Sequence, residues 1–293
     1  MLFRSYHIKK LNKDVFQRFH IPGNVNKTIN VSSFKFTPGN RDLVHHAELF
    51  YDSASTLNIQ YSPDELSYIK GDTYILRDST LTSYIYAAGW LPGLGSEDFP
   101  KGMAMRIKEN ATFYFLIHYV PTPIEEYDSS SFLIYTHNDE PERYVEVVPV
   151  WSSHHMVDGP LLIPADTVIT FHSVNTIDKD LSAFSVLAHA HHLARKMLAY
   201  AVTPLSDTIP LLRINDWDFN WQYIYKFNSY IKLPKDTKVH FWVTYDNTVN
   251  NPENPFVPPR DITSSFKADD EMMELFIYTV PYKRDDEHST IEY

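Results

Sequence analysis

Four groups of side chains in this sequence are of types that hold metal ions. They are the adjacent pair His45-His46, a single His118 near the end of an apolar run, the alternating His189-Ala190-His191, and Met272-Met273. The chain has no cysteine, which excludes disulfides, thiolate ligands and cysteine nucleophiles. A soft ligand here is therefore a thioether or an imidazole, drawn from 7 Met and 14 His. Both side chains also serve as ordinary packing and surface groups, so spacing has to separate ligand from bystander. Residues two apart diverge by about 200° on a helix but share one face of a strand. On a strand, Ser185, Leu187, His189 and His191 line one face and the two imidazoles form a bidentate clamp. Ala194 to Leu198 are good helix formers, so local propensity leaves both conformations open. Two imidazoles suit zinc, copper, iron or nickel alike; a thioether such as that of Met272 moves the preference toward copper, Cu(I) in particular.

His45 and His46 face opposite ways in a regular strand, so joint ligation requires a bulge or an irregular backbone there. His118 shares a face with Tyr114 and Leu116, opposite Phe113, Phe115 and Ile117, placed to meet a partner or to serve as a capped, solvent-facing histidine. His154-His155, beside Met156, repeats the local pattern of His45-His46 and is a candidate for a third, adventitious metal site; His172, His192 and His240 are further candidates, most of these histidines being expected bystanders. Glu48, Glu97 and Asp270 supply the carboxylates of a different possibility, a hydrolase.

The elements that must position these groups are strands. Trp217, Phe219, Trp221, Tyr223, Tyr225 and Phe227 alternate with Asp218, Asn220, Gln222 and Lys226, the period of a half-buried strand. The same period runs through Ala111 to Tyr119, Tyr144 to Val150, Thr167 to Val174, Val239 to Tyr245 and Glu274 to Val280, each bounded by Pro, Asn, Asp or Gly. A 15% aromatic share with only 8 Gly and 19 Pro agrees, and the expected fold is all-β, antiparallel sheets packed face to face. At 293 residues two domains are expected. Pro-marked polar breaks put the boundary near residue 147, giving domains 1–147 and 148–293. The stretch 247–265 and the tail 283–293 read as exposed loops.

A net charge of −11, with no stripe of Lys and Arg, argues against nucleic acid as a partner. No apolar run reaches the roughly 18 residues of a membrane-spanning helix, and the basic first ten residues lack the apolar core of a signal peptide.

The motifs resemble one family in order along the chain, from Phe16 to Pro281. They are Phe36-Thr-Pro-Gly-Asn-Arg-Asp-Leu-Val-His-His46, Ala88-Gly-Trp-Leu-Pro-Gly93, Phe115-Leu-Ile-His-Tyr119, His189-Ala-His-His-Leu193, Asp216-Trp-Asp-Phe-Asn-Trp-Gln222, Tyr245-Asp-Asn247 with Asn251-Pro-Glu-Asn-Pro255, and Asp270-Glu-Met272. The sequence resembles the copper type II, ascorbate-dependent monooxygenases, the peptidylglycine alpha-hydroxylating and dopamine beta-monooxygenase group, and most resembles its bacterial members. That resemblance implies two jelly-roll-like β-sandwich domains with one copper each across a solvated cleft. His45, His46 and His118 would hold the electron-storing copper. His189, His191 and Met272 would hold the oxygen-binding, catalytic one, with O2, an external electron donor such as ascorbate and a small-molecule or peptide-like substrate as partners. It also implies export, to the periplasm or outside the cell, with a leader removed.

The departures are specific. Arg18 and Met273 stand where relatives often carry Cys, and the positions that hold the substrate carboxylate in the peptide-amidating branch read Leu187, Glu274 and Phe276 here. An anionic peptide terminus loses its cationic partner, so peptide amidation is not expected. A copper-binding or surface-interaction module without turnover is the alternative.

Overall fold

A computed structural model describes residues 6–12, 15–22, 25–52, 84–264 and 270–293. The chain divides after Tyr144 into two compact units, close to the expected residue 147. Both are built from sheets of mainly antiparallel strands, the short pairing of Arg143–Tyr144 with Met103–Ala104 running parallel, whose alternating side chains fill the space between the layers. Among the described residues no helix is long and apolar enough to cross a membrane.

In the first unit the strands are β1 (Tyr6–Ile8), β2 (Val15–Pro22), β3 (Ile29–Thr37), β4 (Val44–Asp52), β5 (Tyr84–Trp90), β6 (Glu97–Asp98), β7 (Met103–Ile107), β8 (Thr112–Tyr119), β9 (Glu126–Asp128), β10 (Ser131–His137) and β11 (Arg143–Tyr144). One sheet runs β2-β8-β4-β5 and a second β10-β3-β7-β11, with β6 on β3. Central β8 reads apolar on both faces, and every residue from Phe113 to Tyr119 is buried. The side chain of Arg18, one of the two positions where relatives have Cys, lies outside those described; Met273, the other, is fully buried in the core of the second unit.

The second unit contains β12 (Glu146–Trp151), the helical turn α1 (Ser152–His155), β13 (Leu162–Ile163), β14 (Val168–Thr176), β15 (Leu181–His189), β16 (Ala194–Val202), β17 (Thr208–Ile214), β18 (Ile224–Leu233), β19 (Lys238–Asp246), β20 (Ile262–Thr263) and β21 (Glu274–Pro281). Of its long strands, the first, eighth, third and sixth form the sheet β12-β21-β15-β18. The second, seventh, fourth and fifth form β14-β19-β16-β17. That order is a jelly roll. In β19 the alternation is complete: Val239, Phe241, Val243 and Tyr245 are fully buried in the core, while His240, Trp242 and Thr244 on the other face are partly exposed. Ala194 to Leu198, helical by propensity alone, extend as β16 because Ala194, Met197 and Ala199 face that same core.

One expectation is corrected. The aromatic alternation from Trp217 to Phe227 is a strand only from Ile224 onward. Asp218 turns the chain before it, its carboxylate accepting from Asn220 N at 2.8 Å and its carbonyl from Trp221 N at 3.0 Å, so Trp217 and Phe219 are buried while Trp221 is 68% exposed. The stretch 247–264 is mostly exposed and irregular, as expected, but it is pinned at its start. Asn247 is fully buried and its amide donates to the carbonyls of Ile163, Pro164 and Arg260. The tail is likewise tied down, Ser182 Oγ donating to buried Asp286 at 2.6 Å and Tyr293 Oη to the Phe184 carbonyl at 2.8 Å.

Candidate metal centres

In the first unit, His46 stands directly across from His118 in the β4–β8 ladder. One pair earlier Val44 stands across from Tyr119, so β4 uses two steps where β8 uses one, and His45 is the extra residue of a β-bulge. The irregular backbone demanded by the sequence is thus present, and it turns adjacent histidines toward one point. His46 Nδ1 lies 3.3 Å from His45 Nδ1 and 3.2 Å from His118 Nδ1. Two nitrogens bound at tetrahedral angles to an ion at about 2.0 Å are about 3.3 Å apart, so these edges match those of a coordination shell. Among the described residues this trio is the one group of three or more His, Asp or Glu side chains whose ligand atoms lie within 4.8 Å of one another. His46 and His118 are buried, at 5% and 1% exposure, and His45 is half-buried, leaving one side of the cluster open. A buried set of three imidazoles of this kind can hold a metal ion.

A buried carboxylate braces the approach to it. Asp128 Oδ2 accepts from Tyr119 Oη at 2.7 Å, and Oδ1 accepts from Ser130 Oγ and Asn40 N at 2.9 Å each. Tyr119 follows His118, and the Asn40 carbonyl receives Val44 N at 3.0 Å at the entry to β4. Gly39 belongs to the same joint: a Cβ there would collide with the backbone nitrogen of Ser129. Burial first, and the neighbouring Asp128 next, push the Tyr119 phenol far above its ordinary range, so it stays a donor. Asp128→Ala leaves buried donors without an acceptor, each costing about 1–3 kcal/mol. Metal affinity of the His45, His46, His118 set should fall roughly tenfold or more, the size typical of lost outer-shell support. Titration against a chelator checks this, and unchanged affinity would remove Asp128 from the site's support.

In the second unit His189 ends β15 and His191 lies just past it, yet their ring centroids are 5.1 Å apart. The two rings come together although the strand stops short of His191. His189 Nδ1 is 2.6 Å from Gln222 Oε1, whose own amide nitrogen donates to the Phe219 carbonyl at 2.9 Å. Gln222 Oε1 is therefore an acceptor, and His189 carries its proton on Nδ1. His191 Nδ1 donates to the Asp270 carbonyl at 2.9 Å. Both imidazoles thus carry their acceptor lone pair on Nε2, the opposite nitrogen to that gathered in the first unit.

Met272 lies just ahead of β21, whose register pairs His189 with Glu274 two residues later. Glu271 fixes that alignment: its carboxylate accepts from Leu193 N at 2.6 Å, His191 N at 2.9 Å and Met272 N at 3.3 Å. Burial pushes the Glu271 carboxyl up to about 8, and the three donated N–H groups pull it the other way. Tyr245 Oη donates to the Met272 carbonyl at 2.7 Å, and Trp217 Nε1 to the His191 carbonyl at 3.1 Å. Met272 is itself buried.

Gln222, Glu271, Trp217 and Tyr245 lay inside the quoted motifs, but spacing assigned them no role, because each acts on a backbone or ring many residues away. Leu187 and Phe276 are cross-strand partners beside the His189–Glu274 pair, all four buried, so no cation stands at these positions. His154 and His155 do not form a comparable pair: their rings are 6.3 Å apart, and His155 Nδ1 accepts from Trp151 N at 3.0 Å. The carboxylates Glu48, Glu97 and Asp270 do not gather into one site with a histidine among the described residues.

Solved structures with similar β architecture share little sequence with this chain. The infectious bursal disease virus VP2 subviral particle is 12% identical over 99% of this chain and 74% of its own, with a TM-score of 0.24. The major capsid protein P2 of bacteriophage PM2 is 8% identical over 98% of this chain and all of its own, with a TM-score of 0.35. The β-porphyranase BpGH86A of Bacteroides plebeius is 8% identical over 89% of this chain and 38% of its own, at 0.19. No family model matches the sequence, and no curated protein does.

Proposed function

We propose that this chain is a dicopper monooxygenase that hydroxylates a C–H bond with O2 and an external one-electron reductant such as ascorbate. What supports the reading above all is the pairing of unlike donor sets: three converging Nδ1 atoms in one unit, and in the other two imidazoles, each anchored through Nδ1, with buried Met272 and His191 held by backbone N–H groups on one Glu271 carboxylate. An all-imidazole set serves either oxidation state of copper, whereas the soft sulfur of Met272 favours Cu(I). Bound as Cu(I), two coppers supply the two electrons that, with the C–H pair and two protons, take O2 to one hydroxyl and one water.

The residues divide the remaining work. Gln222 and the Asp270 carbonyl hold His189 and His191 in one tautomer and orientation, so no proton has to leave either ring when metal binds. Glu271 keeps the thioether segment in register with both. Leu187 and Phe276 present apolar surface on the face of His189, and Glu274 places a carboxyl there. A substrate carboxylate would be desolvated without a partner, so the substrate class is one without an anionic terminus.

Anaerobic titration with Cu(I), followed by O2 and ascorbate across a panel of C–H substrates, tests the proposal. The expected result is two coppers per chain and O2 uptake that depends on substrate. Two coppers with no uptake beyond that of free copper and reductant would make the chain a copper-binding module instead; zero or one copper would overturn the dicopper reading.

A further inference from the structure

A third set of imidazoles lies apart from both donor sets, on the outer face of the sheet β14-β19-β16-β17. The alternation that buries Phe171, Phe241 and Val243 turns His172, His240, Trp242 and Tyr200 outward, each partly exposed. His172 pairs with Trp242 across the ladder, and His240 stands across from Val174 on one side and Tyr200 on the other, so the two histidines are diagonal neighbours. His172 Nε2 is 2.9 Å from His240 Nδ1, and the two rings are within 14° of parallel.

We propose that His172 and His240 form a separate bidentate site for a divalent late transition ion of the Cu(II) or Ni(II) type, with water completing its coordination. Two nitrogens bound at right angles to such an ion at about 2.0 Å are about 2.8 Å apart, the spacing of neighbouring positions in a square-planar or tetragonal shell. The rings are already held for it. His172 stacks on Trp242 with centroids 3.7 Å apart and planes 5° apart, and Tyr200 stacks on His240 at 4.9 Å and 9°. Trp242 Nε1 donates to Tyr200 Oη at 3.4 Å, closing the frame. Neither side chain has to give up rotamer freedom on binding, which is the usual cost of a surface chelate.

The protonation state also suits a metal. Burial lowers the pKa of both imidazoles; His172 and Lys238 lower that of His240 further, while Asp158, whose carboxylate accepts from His172 N at 2.7 Å, pulls His172 the other way. Neutral at pH 7, the pair carries one proton between the facing nitrogens. Binding needs only that this proton move to the outer nitrogen of the same ring, a tautomer change with no proton lost to solvent. In the sequence the two histidines are far apart and neither has a neighbouring ligand type; only the diagonal across the register joins them.

The site stands independently of the dicopper reading, and Trp242 is its built-in reporter, since a paramagnetic ion on the stacked imidazole quenches indole emission. Ni(II) titration of the full chain, followed by tryptophan fluorescence and calorimetry, should give saturable quenching. His172→Gln and His240→Gln should each weaken that binding by at least about tenfold and remove the quenching. Trp242→Phe should remove the quenching while the calorimetric component that the Gln variants lose persists, and His45→Ala and His191→Ala, whatever Ni(II) they cost the other two centres, should leave the Trp242 quenching intact. Unaltered quenching in the two Gln variants, with melting temperatures matching the parent, would overturn the site. So would Trp242 quenching that disappears with His45→Ala or His191→Ala.

Discussion

Replacing His46 with alanine is expected, on the proposed dicopper function, to strip one copper from the chain, leave the other in place, and cut hydroxylation by more than about a thousandfold, since the centre that would deliver an electron is gone. His46 is the choice because its Nδ1 is the shared vertex, within 3.3 Å of His45 and 3.2 Å of His118. Without it the remaining rings, with centroids 5.0 Å apart, are a two-ligand remnant. His118→Ala should act alike, and its position on β8 rather than β4 guards against a local distortion of the bulge being mistaken for ligand loss. Met272→Ile, close in volume and without sulfur, should instead lose the other copper. Cu(I) stoichiometry against a chromophoric chelator separates these outcomes, and the His46→Ala, Met272→Ile double variant should bind neither ion at the two centres. Two tightly held coppers in His46→Ala would remove the histidine trio from the reading altogether.

Period two was sufficient for most of the framework. Strands β8, β14, β19 and β21 stand close to where alternation and the bounding polar residues put them, because one or both faces are buried and the register then has no freedom to slip. The His45-His46 pair was legible in a conditional sense: two neighbours can share an ion only across a bulge, and a bulge is there. What alternation misread was the run from Trp217 to Tyr223. Its apolar residues keep the period of a strand, but Asp218 offers the backbone a turn, and the rings then serve two purposes, with Trp217 and Phe219 packed inward and Trp221 and Tyr223 left outside. The Gln222 and Glu271 contacts were illegible for a different reason. One joins a ring to an amide 33 residues on, the other a backbone to a carboxylate 80 residues on, and such pairings exist only once the jelly roll has set its sheet order. The loops read as exposed are mostly so, but their anchors were illegible: Asn247 and Asp286 are polar residues, yet they are buried as brackets that satisfy backbone groups.

Removing the Glu271 carboxylate should have the largest effect on the second unit. Three buried N–H groups, of His191, Leu193 and Met272, converge on its two oxygens. In Glu271→Ala all three lose their acceptor, and at about 1–3 kcal/mol per stranded donor, partly relieved by water entering the gap, a loss of roughly 3–5 kcal/mol follows. For a unit of this size that corresponds to a fall of roughly 10 °C in melting temperature. Glu271→Gln is the sharper probe. An amide presents one oxygen and one NH2, so in either orientation it turns a donor toward a backbone N–H, stranding Leu193 or else His191 and Met272. The loss should be intermediate in stability but close to the alanine variant in metal binding, because the amide disturbs the backbone that carries His191 and Met272. Affinity at the second copper should fall by roughly tenfold to a hundredfold in both, with the His45, His46, His118 centre untouched. Thermal unfolding with paired chelator titrations reads both quantities. A Glu271→Ala chain that melts with the parent and keeps its second copper would mean that the carboxylate does not hold the His191 and Met272 segments together.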